Sequence, residues 1–393
     1  SGFNIPDVMT EFISKNAHLF TAEEQMSPIL EQSCKKKNTI YHRIEFWDYI
    51  FFADDALNRF PYKAHPKNLA IVCKLANFLG VDTEFAIKEI ADNIIPDLGV
   101  LKIYPQVNYR GRILEFSNGM SANERKGFAD NWRRLGLDNY ENDCHTGVYV
   151  VTVVNNRADR ISRSKVFANL LVNEIVADAH ILIGTNITGL SGYIADELRL
   201  FLLNIKLTDD TDKLMQIDKI FAQRKMYYRY PAEILKFTLS MLKKLKTFKF
   251  DEQSLEKIFI KENLIDFEYY SKLVNEPRNK LKPHKTLNEL LEKNINSEDK
   301  ILLTEFYNFL AEAIMFYNLI EHFKTNISTL STDAATLRLR EILTIIFNRK
   351  VAPQFDPFLT GGQVINNITD NIPPGYLCKI LGCQNIKGTG LDF

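Results

Sequence analysis

The order of apolar and polar positions divides the chain into an alternating region, a helical region and a short return to strand. Up to about Leu207, helix-like and strand-like patterns follow one another. Residues 4–37 carry helical spacing, with Val8, Phe12 and Ile13 on one face and Ile29 and Leu30 further on. Residues 67–79 predict an amphipathic helix stopped by Gly80. Residues 83–93 predict a second, capped by Thr83, with Ala86, Ile87 and Ile90 inward. Strand signals come next. Residues 111–116 alternate loosely after a turn, and residues 148–154 are β-branched at every position but Tyr149, as a strand buried on both faces requires. A similar run occupies residues 180–184, and the spacing over 167–175 between the two suits a crossover helix joining parallel strands. The expected class is α/β.

From residue 208 the pattern becomes helical throughout, with candidates at 212–228, 231–248, 254–263, 285–293, 299–326 and 333–349. Glycine is absent between Gly192 and Gly361, which fits an all-α block. The longest candidate is apolar over more than half its circumference through Leu302, Phe306, Phe309, Leu310, Ala313, Phe316, Tyr317 and Ile320, so it should sit centrally in a bundle. Strand signal returns at residues 376–382, after Pro373-Pro374-Gly375. A helical block at 208–375 between strands reads as an insertion before the last strand.

Composition narrows the function. The 393 residues are 46% hydrophobic and 25% charged, with 49 Lys and Arg balancing 49 Asp and Glu. Such a chain is globular rather than disordered, and it lacks the basic excess of a charge-driven nucleic-acid binder. The five cysteines, Cys34, Cys73, Cys144, Cys378 and Cys383, are odd in number and scattered. They read as reduced core thiols of a cytoplasmic protein rather than a disulfide frame or a zinc site. No apolar run reaches the length of a membrane span. His145, His180 and His322 stand singly, Glu321-His322 lacks the Glu–His spacing of di-iron bundles, and no metal site is expected. The basic runs at 35–37 and 243–246 read as solvated helix faces.

Three segments carry candidate chemistry, each just past a strand signal. Asn155-Asn156-Arg157-Ala158-Asp159-Arg160-Ile161-Ser162-Arg163 follows the most buried strand. Open α/β sheets bind ligands at the carboxyl ends of their strands, and arginines at spacing three can present guanidinium groups to carboxylate or phosphate, with Asp159 orienting one. The bland alternative is a solvated turn with surface ion pairs. Phe116 to Glu124 contains Asn118, Gly119 and Asn123, small and amide residues that let a backbone approach a ligand before a helix starts. Gly382 to Gly390 has the glycine density of a phosphate-cradling loop, although no Gly-Lys-Ser/Thr closes it. Neither a Walker-type phosphate loop nor a Gly-x-Gly-x-x-Gly fingerprint occurs.

Taken in this order, the three segments resemble the ligase subunit of bacterial poly-γ-glutamate synthase, a capsule-synthesis relative of the Mur ligases. The matching elements are Asn156-Arg157-Ala158-Asp159-Arg160 with Arg163 and Phe167, Asn118-Gly119 through Ala122-Asn123, Ile181 to Gly184, and the closing loop with Asn385, Ile386 and Gly388. Asn16-Ala17-His18-Leu19 and Leu79-Gly80-Val81-Asp82 are similar as well. Lys102 stands where the family has an arginine, and Lys387 where it has a histidine. The family's ATPase section, with its phosphate loop and magnesium-binding carboxylate, is expected before Ser1.

The resemblance implies residues 1–97 as the tail of a Mur ligase-like central domain and linker. It implies 98–207 and 376–393 as a Rossmann-like Mur C-terminal α/β domain, with 208–375 inserted. It implies ATP-driven γ-glutamyl amide formation through an acyl phosphate, using ATP and Mg2+ bound mainly outside this chain. Lys102, Arg157, Asp159 and Arg160 would be catalytic, and Asn118, Asn123, Asn156, Arg163, Asn385 and Lys387 would bind substrate or nucleotide. Glutamate or polyglutamate, an ATPase half in the same protein or a partner subunit, and membrane-bound synthase subunits at the inner membrane face are the implied partners. The helical block would dock a partner or a second copy. The competing expectation is a non-catalytic Mur-like scaffold that docks partners through its helices.

Overall fold

A strand apolar on both sides must be covered on both sides, and the architecture follows from that need. The computed structural model describes residues 5–140, 147–209, 212–222, 226, 228–242, 297–388 and 390. It has two compact units, Ser1–Lys102 and Ile103–Phe393.

In the first unit, α1 (Ile5–Glu11), β1 (His18–Thr21), α2 (Ser27–Lys36) and β2 (Ile40–Arg43) precede three helices, α3 (Asp54–Asn58), α4 (Pro66–Phe78) and α5 (Thr83–Asn93). The continuous helical spacing expected over 4–37 is interrupted. Asn16 adopts a left-handed φ of 51°, and β1 pairs in parallel with β2. Pairing with a distant strand outweighs local propensity here. Ile13, Leu30 and Cys34 form one small core, while Phe60, Ala64, Leu69 and Ala91 form another. The cap of α5 is Asp82 rather than Thr83, its carboxylate accepting from the Phe85 amide at 2.8 Å. An Asp at this position satisfies an otherwise orphaned helix donor.

The strand β3 (Lys102–Ile103) crosses the boundary between the units. The second unit continues with β4 (Val107–Tyr109), β5 (Arg112–Asn118), α6 (Arg125–Arg134), β6 (Val148–Asn156), α7 (Ile161–Asn173), β7 (Ala179–Gly184) and α8 (Ile187–Leu203). Helices α9 (Lys213–Ala222), α10 (Pro231–Leu242), α11 (Ser297–Thr325) and α12 (Thr332–Lys350) follow, then β8 (Val351–Pro353), α13 (Gly361–Asp370) and β9 (Leu377–Cys383). The sheet runs in the order β5-β9-β6-β7-β8 with all these strands parallel, and β4 lies antiparallel on β5.

Every residue of β6 is buried. Val148, Val150 and Val154 meet the core that contains Phe167, Leu170, Leu190 and Ile194 from α7 and α8. Tyr149, Val151 and Val153 meet the opposite core with Val364 and Ile368 from α13. The sheet therefore has helices on both faces.

The stretch 208–375, expected to be all helical and separate, contributes β8 to this sheet and α13 to one of its faces. Leu303, Phe306, Leu310, Leu339 and Ile346 from α11 and α12 share the larger core with α7 and α8. Three residues with a terminal proline give almost no periodicity to read, and β8 becomes a strand only because β7 offers it a free edge. Arg229 adds a buried tie. It donates through Nε and Nη2 to Asp178 at 3.0 Å each and to the Val148 carbonyl. The candidates at 254–263 and 285–293, the part of 231–248 beyond Leu242, the basic run at 243–246, and His145 lie outside the described residues.

Of the cysteines described, Cys34, Cys378 and Cys383 are buried free thiols and Cys73 is half-buried. Burial pushes the thiols of Cys378 and Cys383 up, so they stay protonated. His180 is buried as well, its Nδ1 2.7 Å from Thr152 Oγ1. No helix among the described residues is long and apolar enough to cross a membrane.

Candidate functional site

Because β5, β9, β6 and β7 are parallel, the loops that leave them emerge at one edge of the sheet. Asn118-Gly119-Met120 follows β5, Arg157 to Arg160 follows β6, Thr185-Asn186 follows β7, and Gln384 to Gly388 follows β9. Helices α6, α7 and α8 begin from the first three of these loops, so their amino ends gather there too. Unpaired helix N–H groups make such ends favourable for anions.

The last two residues of β6 hold the edge together. Asn155 is 1% exposed and donates through Nδ2 to the carbonyls of Asn385 at 2.7 Å and Lys387 at 2.9 Å. Asn156 donates to the Thr185 and Asn186 carbonyls at 2.8 and 3.3 Å. Its Oδ1 accepts from Ser164 Oγ at 2.7 Å and Gln384 Nε2 at 2.9 Å. Both protons and both lone pairs of this amide are engaged by the protein, which makes Asn156 a positioning residue for three loops. Thr185 closes the ring, its hydroxyl accepting from the Ala158 amide at 2.8 Å. Ser164 and Thr185 lie outside the segments flagged from sequence, and Asn155 and Gln384 lie within them but were given no role. Two polar residues ending a wholly apolar strand were the available signal for Asn155.

The backbone is shaped to match. Gly184 has φ +94°, and a Cβ there would stand 2.3 Å from the Asn156 carbonyl oxygen and 2.6 Å from Asn155 Oδ1. At Gly119 a Cβ would meet Leu381 Cδ1 at 2.7 Å, and the Gly119 amide donates to the Gly382 carbonyl at 3.0 Å. Glycine lets β5 and β9 loops approach this closely. Asn118 is half-buried with Oδ1 accepting from the Met120 amide at 3.1 Å.

The cations lie along the β6 loop. Arg157 forks onto Asp159 through Nε at 2.9 Å and Nη2 at 2.7 Å, and Arg160 Nε is 3.4 Å from the same carboxylate. Desolvation works against ionisation of Asp159, but the Arg157 guanidinium outweighs it and holds the carboxyl below its usual range. Arg163, half-buried, lies in the first turn of α7. Lys387 is exposed on the β9 loop, and Asn123 is half-buried ahead of α6. Within the buried floor, Asn385 Nδ2 and Gln384 Oε1 have no hydrogen-bond partner. Unpaired polar atoms at such depth are costly unless something meets them, which marks this floor as a candidate place for a polar ligand. Lys102 ends the first unit and is half-buried.

Residues 103–243 match the family model of the poly-gamma-glutamate synthase CapB C-terminal domain. The second unit resembles the carboxyl-terminal portion of a poly-γ-glutamate synthase subunit. The chain is 30% identical over 180 residues to the PGA synthase CapB of Bacillus subtilis (strain 168), covering 46% of this chain and 43% of that protein. It is 26% identical over 180 residues to the capsule biosynthesis protein CapB of Bacillus anthracis, covering 46% and 37%. The match thus spans less than half the length of either relative. No solved structure matches it significantly. The family match takes in the loops after β5, β6 and β7, and it runs past residue 208 through α9 and α10.

Proposed function

We propose that this chain is the carboxyl-terminal part of an ATP-dependent acid–amino-acid ligase that forms γ-glutamyl amide bonds in poly-γ-glutamate synthesis. On this reading the second unit is a Mur ligase-like C-terminal domain, and its four-loop edge holds the incoming amino acid. One observation carries the proposal: Asn155 and Asn156 fasten the loops of three strands around the Arg157 segment, within a unit similar to proteins named for this synthesis. A scaffold has no need for such a polar, cation-bearing edge.

The residues do the work of positioning. Arg157 has spent Nε and Nη2 on Asp159, so its Nη1 is the donor for an incoming carboxylate oxygen, and Asp159 fixes its direction. Arg160 and Arg163 supply further positive charge, and Asn385 Nδ2 offers a buried donor that needs an acceptor. Anchoring an amino acid by its carboxylate leaves its amine to face the acyl carbon, a gain in orientation rather than in chemistry. The guanidinium groups and the unpartnered Asn385 amide also fit the oxyanions of ATP, which Arg160, Lys387 and Asn118 would hold. When bound, ATP supplies the phosphoryl group that turns a carboxylate into an acyl donor. For Mg2+, the described residues contain no group of three or more His, Cys, Asp or Glu side chains that could hold it.

Calorimetric titration with L-glutamate and with ATP tests the reading. Arg157→Ala is expected to weaken binding at this edge at least tenfold, the scale of one charge-assisted hydrogen bond, about 1.5–3 kcal/mol. Its melting temperature should stay close to that of the parent, because an exposed ion pair contributes only about 0–1 kcal/mol. Binding of both ligands that is indifferent to Arg157→Ala and Arg163→Ala would overturn the proposal and favour the scaffold.

A further inference from the structure

The opposite edge of the same sheet holds a second polar space. Arg110 precedes β5, Val351 opens β8, and Asp370 ends α13 ahead of β9, so the cavity these residues line, about 500 Å3, lies at the amino ends of the strands. That volume falls within the range of small-molecule sites, roughly 300–1,000 Å3. Its walls carry both signs of charge. Arg110 pairs with Glu305 and, at 2.9 Å, with Asp370. Deeper in, Glu312 is fully buried, accepts from Tyr228 Oη, and stands 3.9 Å from Arg349. Asn308, 9% exposed, also lines the cavity, and its Oδ1 has no hydrogen-bond partner.

These groups specify a ligand class. A simple anion would meet Glu305, Glu312 and Asp370, and a simple cation would meet Arg110 and Arg349. A molecule carrying both charges a few ångströms apart satisfies the two sets together. The Asn308 oxygen needs a donor, which an ammonium supplies, and the adjacent Glu312 carboxylate strengthens that preference. We propose that the cavity between α11, α12 and the amino edge of the sheet binds a free α-amino acid. Its ammonium would meet Asn308 Oδ1 and Glu312, and its carboxylate would meet Arg349. This site is separate from the Arg157 edge and does not depend on the function assigned there. Lying on the far side of the sheet, it would sense or store the amino acid rather than react with it.

The test is a calorimetric titration of the full chain in an Arg157→Ala background, which weakens the contribution of the other edge at least tenfold. L-glutamate should still bind, and glutarate, which lacks the ammonium, should bind at least tenfold more weakly. Asn308→Leu should weaken L-glutamate binding at least tenfold. The nearly isosteric Asn308→Asp should bind at least as tightly as the parent, which guards against misreading a folding defect. Absence of L-glutamate binding in the Arg157→Ala protein would overturn the inference, as would equal binding of glutarate or indifference to both Asn308 substitutions. Failure of the Arg157 reading appears differently, as L-glutamate binding that Arg157→Ala leaves untouched.

Discussion

His180 shows how much one buried residue can impose on stability. Burial, helped by the charge of Lys350 and opposed by Asp178, pushes its pKa down to about 3, so the ring stays neutral in the fold. In the unfolded chain it titrates near pH 6.5. Between these values the unfolded state binds more protons, so stability is complete above the unfolded value and falls as pH drops toward the folded one. The expected contribution of His180 is a loss of about 2 kcal/mol between pH 7 and pH 5. Urea unfolding at both pH values, compared with His180→Gln, should show a flatter dependence in the variant. Equal slopes would contradict the assignment. The residue was legible as the first of a strand-like apolar run and as an unlikely metal ligand, whereas its Thr152 partner across the β6–β7 pair was not.

Among elements, the β6 and β7 ends matter most. β6, β7 and the crossover α7 could be read from the sequence because burial on both faces writes an unbroken apolar run. The loop after β6 was flagged for the same reason, as a polar segment abutting such a run, whereas the loop after β7 was not. The fastenings were not legible: Asn155 reaches carbonyls 230 and 232 positions away, and no local pattern encodes contacts of that span. Short elements were lost too. β1 and β8 exist through pairing, at four and three residues. Gly184→Ala tests the tightness of the β7 end. With its Cβ 2.3 Å from the Asn156 carbonyl at φ +94°, it should cost on the order of 3 kcal/mol. Gly192→Ala, exposed on α8 with nothing within 4 Å of the new Cβ, should be neutral or stabilising by up to about 1 kcal/mol. Denaturant midpoints decide it, and similar values for the two variants would contradict the close approach.

For the whole molecule, the second unit is one compact body that the sequence divided too readily. Glycine depletion and helical spacing after residue 208 suggested an all-helical insertion before the last strand. Instead, α11 and α12 complete the core over α7 and α8, β8 extends the sheet, and β9 sits between β5 and β6. Residues 103–243, the span of the family match, therefore lack the central strand of their own sheet. A protein cut to 103–243 is expected to be unfolded or aggregated, with no cooperative thermal transition by circular dichroism, whereas 103–393 should fold. A cooperative melt of the shorter piece would contradict this integration.

On the proposed function, loops from four strands form one ligand site at the carboxyl edge. Hydrogen–deuterium exchange with and without saturating L-glutamate tests it most directly. Exchange should slow together at residues 118–123, 156–163, 184–187 and 384–388, and Arg157→Ala should shift this protection to at least tenfold higher L-glutamate concentration. Protection absent from these loops, or confined to the amino edge around residues 305–312 and 348–354, would contradict it.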